Sequence, residues 1–264
     1  MSNDRILLDK DRLVKVSSIL VSQPKPTDPK SPYFSLAEKY KLKVDFRPFI
    51  QIDPVDVKEF RKQKVNILDH TAVIFTSRNA VDHFFRLAAE NKVEIPSDMK
   101  YFCISEQTSY YLQKYIVIRK RKIFTGERTA SDLIEVLKKH KKEKFIFPCS
   151  DVRKEDIPVF LEENGYTYKE AIIYRTVACD LSDLDDVYYD IIAFFSPSGI
   201  QSLLENFPEF KQNKTRIAAF GPTTAKAVRD AGLILDIEAP LPNAPSMTGA
   251  LEMYIRQANG LDKK

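Results

Sequence analysis

A chain of 264 residues with 44% hydrophobic content is long enough for two compact lobes, each burying its own core. Its net charge of +4, from 41 basic and 37 acidic residues spread along the chain, leaves no electrostatic footprint of a general nucleic-acid binder, though an anionic small molecule remains compatible. Cys103, Cys149 and Cys179 are too scattered for a disulfide framework or a close-spaced metal site, and His70, His83 and His140 share no ligand or triad spacing, so reduced buried thiols and no metal are expected.

In chain order, Asp4, Arg5, Asp9, Lys10, Asp11 and Arg12 break up the apolar residues of the N-terminus, and no later stretch approaches a membrane-spanning length. A cytoplasmic protein without a membrane partner is expected. Short β-rich runs then alternate with amphipathic helical stretches: Val16 to Val21 and Tyr33 to Tyr40, Ala72 to Phe75 and Ala80 to Ala89, Ile191 to Phe195 and Ile200 to Phe207, Ile217 to Phe220 and Ala225 to Ala231. Phe145 to Phe147 reads as a further apolar strand, with Pro148, Cys149 and Ser150 following it. Such alternation predicts an α/β protein built of parallel sheets with helices on both faces.

The strand-to-helix junctions repeat. Phe75-Thr76-Ser77-Arg78-Asn79-Ala80 is echoed by Phe195-Ser196-Pro197-Ser198-Gly199-Ile200, and Ile104-Ser105-Glu106-Gln107-Thr108-Ser109 by Phe220-Gly221-Pro222-Thr223-Thr224-Ala225, at an offset of about 120 residues. Ser131 to Val136 and Thr248 to Met253 continue the series, and Ser35 to Ile50 resembles Val159 to Tyr174 in pattern. An ancient duplication follows, and with it a topology. If the chain leaves one lobe at about Phe49 to Asp53, the equivalent exit near Ile173 to Val177 carries it back. The expected domains are residues 1–48 with 178–264, discontinuous, and residues 54–171, continuous. Segments 49–53 and 172–177 would be paired linkers.

Candidate chemistry lies at the turns, because in a parallel α/β sheet the ligand crevice sits at the carboxyl ends of the strands. Backbone N–H groups and hydroxyls at helix N-termini favour carboxylate or phosphate. Thr76, Ser77, Arg78, Asn79, Ser196, Ser198, Gly199, Gly221, Thr223 and Thr224 are therefore candidate contacts to an anionic ligand. Gly221 permits a tight strand exit and Pro222 suits a first helical turn. The competing reading is that Ser77, Ser196 and Thr223 only cap their helices. Ser150, with Arg153 or Lys154 close behind, is a second candidate carboxylate contact, against the alternative of a solvated basic face. Tyr174 is either a packed aromatic or a phenol able to donate a proton. With 7 glycines and no Gly-rich run, a dinucleotide or P-loop site is not expected.

Taken together, Phe75-Thr76-Ser77-Arg78-Asn79-Ala80-Val81, Phe147-Pro148-Cys149-Ser150, Ile173-Tyr174-Arg175-Thr176, Phe195-Ser196-Pro197-Ser198-Gly199 and Gly221-Pro222-Thr223-Thr224-Ala225 with Gly232-Leu233 resemble the uroporphyrinogen-III synthase family, over about residues 17 to 256. The resemblance implies two doubly wound, flavodoxin-like parallel-sheet domains, a two-stranded linker and a cleft between the lobes. It implies a polycarboxylate tetrapyrrole substrate, hydroxymethylbilane, cyclised with inversion of ring D and loss of water, by a monomer needing no cofactor. Tyr174 matches the family's linker tyrosine, the candidate proton donor to the departing hydroxyl. Thr108 and Thr224 match cleft threonines, and Ser77, Ser196, Ser198 and Gly199 match turns that contact the tetrapyrrole. Two positions depart from the pattern: Ser22-Gln23 replaces a Thr-Arg pair, and Ser105-Glu106 replaces a glycine-containing turn, where Glu106 must point outward to avoid repelling a carboxylate. The rival is a non-catalytic two-lobed module that binds an anionic small molecule.

Overall fold

The computed structural model describes residues 11–117, 119–185 and 187–261, so the charges at Asp4 to Lys10 lie outside the described residues. The elements run β1 (Ser18–Val21), α1 (Pro32–Tyr40), β2 (Lys43–Phe46), β3 (Ile50–Pro54), α2 (Val57–Lys62), β4 (Ala72–Phe75), α3 (Arg78–Glu90), β5 (Lys100–Cys103), α4 (Glu106–Tyr111) and β6 (Ile123–Thr125). They continue with α5 (Ala130–Leu137), β7 (Lys144–Ser150), α6 (Asp156–Glu163), β8 (Thr167–Ala178), β9 (Ile191–Phe194), α7 (Pro197–Asn206), β10 (Arg216–Phe220), α8 (Pro222–Asp230), β11 (Leu235–Ala239) and α9 (Met247–Ala258).

The chain divides into two compact units, residues 1–51 with 177–264 and residues 52–176. It passes between them through β3 and β8, which are hydrogen-bonded neighbours in one sheet. In the first unit the strand order is β11-β10-β9-β1-β2, with every pair parallel. Counted along the chain within that unit this is 2-1-3-4-5, the flavodoxin-like doubly wound order. The second unit has β3-β8-β7-β4-β5-β6, in which β8 through β6 pair in parallel. Counting β7 and β8 first recovers the same 2-1-3-4-5 order. The internal repeat is therefore visible as topology, with β1-α1-β2 answered by β7-α6-β8 and β9, β10, β11 by β4, β5, β6.

Alternating side chains explain why both faces need helices. In β9, Ile191 and Ala193 pack with Leu251 and Tyr254 of α9, while Ile192 and Phe194 pack with Ile200 and Leu203 of α7. In β4, Val73 and Phe75 face Val81 and Phe84 of α3, while Ala72 and Ile74 face Leu133 of α5 and Leu161 of α6. These inner strands are buried throughout, so they read as unbroken apolar runs.

One element differs from expectation. The strand expected to end at Phe147 runs on through Pro148 and Cys149 to Ser150. Its ladder to β4 covers only Phe145 and Ile146, and beyond these β7 pairs with β8. Proline, which donates no hydrogen bond, is tolerated where the strand has lost its second neighbour.

Candidate functional site

The expected turns sit at the carboxyl ends of the strands in each unit. In the second unit the Ser77 side chain caps α3, accepting from the Ala80 N–H at 3.0 Å, and Ser105 caps α4 by accepting from Thr108. Thr108 is buried, with its hydroxyl 3.3 Å from that of Ser105, whereas Glu106 is exposed. Thr76 is half-buried at the end of β4; Arg78 and Asn79 are exposed, the Arg78 guanidinium lying 5.4 Å from the centre of the Tyr111 ring.

Tyr174 joins this group because of an irregularity in β8. Cys149 pairs with Ile172, but Ser150 pairs with Tyr174, so Ile173 is an extra residue on its strand. Strict alternation would turn Tyr174 to the Ile172 face. The bulge instead turns it toward the α3 side, where it belongs to the same buried cluster as Phe84. Its hydroxyl lies 3.2 Å from Ser77 Oγ, its ring stacks on His83 at 5.2 Å, and only 7% of the residue is exposed. Burial pushes the phenol above its ordinary value, the Ser77 hydrogen bond opposing this and the Asp151 carboxylate adding to it. The proton is therefore held on the oxygen at neutral pH.

Tyr174 and Thr76 line a cavity of about 280 Å³ together with Ser150, Arg153, Lys154 and Phe147. Ser150 is buried; its hydroxyl donates to Asp151 at 2.8 Å and lies 3.3 Å from that of Thr176. Arg153 stands in the loop before α6 rather than on a helix, and its guanidinium is paired with Glu170 at 2.5 Å and Glu155 at 3.1 Å. Lys154 is exposed beside it. Arg175 is tied to Glu59. Cys149 is buried and its thiol is pushed up to about 12, chiefly by that burial, which makes it packing rather than a nucleophile.

In the first unit, β1, β9 and β10 are parallel neighbours, so the exits at Ser22, Ser196 and Gly221 stand side by side. Ser196 caps α7 by accepting from the Gly199 N–H at 3.2 Å, with Pro197 exposed in the first turn and Ser198 half-buried. Gly199 is buried against the end of β9: a Cβ there would come within 3.3 Å of the Phe194 ring and 3.9 Å of Ser22 Oγ. Gly221 has φ +86°, which only glycine adopts freely, and donates its N–H to Ala239 at 2.7 Å. Pro222 then opens α8, leaving Thr223 exposed and Thr224 1% exposed.

Two residues that support Tyr174 were not singled out by sequence reasoning for this role. His83 and Arg86 are three residues apart on α3, which makes them neighbours on one helix face, but no spacing in the sequence ties either to Ser77 or Tyr174. Among the described residues no cluster of three or more His, Cys, Asp or Glu side chains could hold a metal, and no helix is long and apolar enough to cross a membrane.

Residues 31–249 match the family model described as uroporphyrinogen-III synthase HemD. Among curated proteins, the chain is 27% identical to the Saccharomyces cerevisiae uroporphyrinogen-III synthase over 125 residues, 42% of this chain and 46% of that protein. It is 24% identical to the Chlorobaculum parvum uroporphyrinogen-III synthase over 252 residues, 89% of this chain and 98% of that protein. Among solved structures, a mutant uroporphyrinogen III synthase from Thermus thermophilus aligns with TM-score 0.59 at 15% identity, over 92% of this chain and 99% of that one. The Helicobacter pylori uroporphyrinogen-III synthetase aligns with TM-score 0.59 at 18% identity, over 90% and 97% of the two chains. These two likenesses are ones of fold.

Proposed function

The chain belongs to the uroporphyrinogen-III synthase family, enzymes of tetrapyrrole biosynthesis, and from that premise we propose that it closes hydroxymethylbilane to uroporphyrinogen III with Tyr174 as the proton donor. The terminal hydroxyl of the linear tetrapyrrole leaves as water on receiving the Tyr174 proton. The azafulvene-like end so formed is attacked by the last ring at its substituted carbon. Fragmentation of the spiro intermediate and recombination invert ring D and close the macrocycle, and the proton released as the ring regains its aromaticity returns to the Tyr174 oxygen.

The single observation that carries this reading is the placement of Tyr174. It is a buried phenol, held protonated, at the carboxyl end of a parallel sheet and on the wall of a cavity with hydroxyl and cationic neighbours. A general acid needs its proton at the working pH, as any phenol has near neutrality, and burial keeps it there. The substrate's acetate and propionate arms suit the N–H groups and hydroxyls of Thr76, Ser77, Arg78, Asn79, Thr108, Ser196, Ser198, Gly199, Gly221, Thr223 and Thr224. Ser150 and Arg153 are the contacts at the cavity itself. Most of the rate then comes from holding a flexible chain in the reactive fold and excluding simple closure. In this reading the enzyme works as a cytoplasmic monomer, with no nucleic acid and no cofactor.

Replacing Tyr174 with Phe tests the assignment. Turnover of freshly made hydroxymethylbilane should fall roughly 10- to 100-fold with KM nearly unchanged. Undiminished turnover would reduce Tyr174 to a packing residue.

A further inference from the structure

The bulge that turns Tyr174 toward α3 needs to be held, because the extra residue interrupts the regular pairing of β8 with β7 at that point. The extra residue is Ile173, and its carbonyl accepts from the Val55 N–H at 3.2 Å. The same carbonyl lies 3.5 Å from the Arg86 Nη2, which also donates to the Val55 carbonyl at 2.7 Å. Arg86 therefore bridges the two backbone segments that meet at the bulge. Its Nε donates to His83 Nδ1 at 3.3 Å, and its Nη1 pairs with Glu90 at 2.8 Å. His83 in turn lays its ring on Tyr174, 5.2 Å between centroids and 30° between planes.

Each contact has a directional consequence. A donor on Nδ1 requires the lone pair there, so the remaining proton of a neutral His83 sits on Nε2. Burial, reinforced by the Arg86 charge, lowers the imidazole below its ordinary value, so an uncharged ring faces the phenol at neutral pH. A stacked aromatic neighbour fixes ring orientation, and with the ring fixed, the Ser77 hydrogen bond sets where the hydroxyl points. Small displacements of a catalytic group are costly, which is the reason to build such a support.

We propose that His83 and Arg86 are positioning residues for Tyr174: Arg86 fastens the Ile173 bulge and orients His83, and His83 holds the phenol against Ser77. The inference rests on the reading of Tyr174 as proton donor for its catalytic consequence, but the holding of the ring can be observed without it.

The experiment combines a spectroscopic and a kinetic arm on the full chain. Protein carrying ring-13C-labelled tyrosine gives a Tyr174 signal, assigned by its loss in Tyr174→Phe. His83→Ala should shift or broaden that signal, and His83→Phe, which keeps a stacked ring, should return it close to the wild-type position. An unmoved signal in folded His83→Ala overturns the proposal whatever the kinetics. With hydroxymethylbilane, His83→Ala should lower kcat about tenfold with KM within about twofold, and His83→Phe should restore most of the loss. In a Tyr174→Phe background His83→Ala should cost almost nothing further. Equal losses in both backgrounds would mean that His83 acts elsewhere and would overturn the proposal. Should Tyr174→Phe retain full turnover while the signal still responds to His83, the positioning stands and the proton-donor assignment falls. Arg86→Lys keeps the charge without the fork that reaches Ile173, Val55 and His83 together, and should shift the same signal.

Discussion

Replacement of Ser77 with Ala separates capping from ligand contact, the two readings that the sequence leaves open at every turn. The Ser77 hydroxyl accepts from the Ala80 N–H at 3.0 Å and meets the Tyr174 hydroxyl at 3.2 Å. Loss of a serine N-cap costs about 1 kcal/mol. A buried phenol deprived of its partner adds about 1–2 kcal/mol, within the usual penalty for an unsatisfied polar group. The sum, roughly 2–3 kcal/mol, should lower the melting of the second unit by about 5–10 °C in calorimetry. Ser77→Thr keeps a hydroxyl for both bonds and should recover most of that loss. Turnover should fall severalfold in Ser77→Ala, because the phenol is still present but less well aimed, and should recover in Ser77→Thr. The reasoning is refuted if Ser77→Ala melts within about 1 °C of the parent, or if Ser77→Thr recovers stability but leaves turnover at the alanine level.

Gly221→Ala meets no atom within 4 Å but must adopt φ +86°, so it should cost about 1–3 kcal/mol in chemical unfolding through backbone strain alone. Arg153 is divided between Glu170 and the cavity. Arg153→Gln should therefore raise KM severalfold with kcat unchanged, and Glu170→Gln should lower KM; an unmoved KM in both would make the pair structural. Cys149, with its thiol near 12, should resist alkylation at pH 8 in the folded protein, while the half-buried Cys179 reacts first, as peptide mass spectrometry would reveal. Burial opposes ionisation of Asp190, but the hydrogen bonds from Ser17 and Ser18 outweigh it and hold the carboxyl below its ordinary value. Its folded value lies below its unfolded one, so its stabilisation is present above the unfolded value and is lost as acid takes the pH down through the folded one. Asp190→Asn should lower stability at pH 7 and flatten the acid limb of the stability curve.

Much of this organisation is legible in the sequence because it is local. The short apolar runs at Ala72 to Phe75 and Ile191 to Phe194, each followed by a helix start, read as inner strands, and Ser77, Ser196 and Gly221 each carry the chemistry of that start. The equivalence of Ser35 to Ile50 with Val159 to Tyr174 pointed to a chain that leaves one unit and returns. What could not be read is long-range. Nothing near Pro148 says that β4 stops pairing at Ile146, the circumstance that lets β7 continue. The extra residue at Ile173 exists only in the register of β8 against β7, and without it Tyr174 would turn away from Ser77. Arg86 reaches a carbonyl 87 residues along the chain, and Arg153 finds Glu170 across a strand, so neither partnership has a sequence spacing to announce it.

Whether this chain directs ring closure is read from which constitutional isomer it produces. Freshly made hydroxymethylbilane should be mixed with increasing amounts of the protein, and the oxidised porphyrins separated by chromatography. Isomer III should replace the spontaneous isomer I as protein is added, until it is the main product. Isomer I alone at every concentration of folded protein would contradict it.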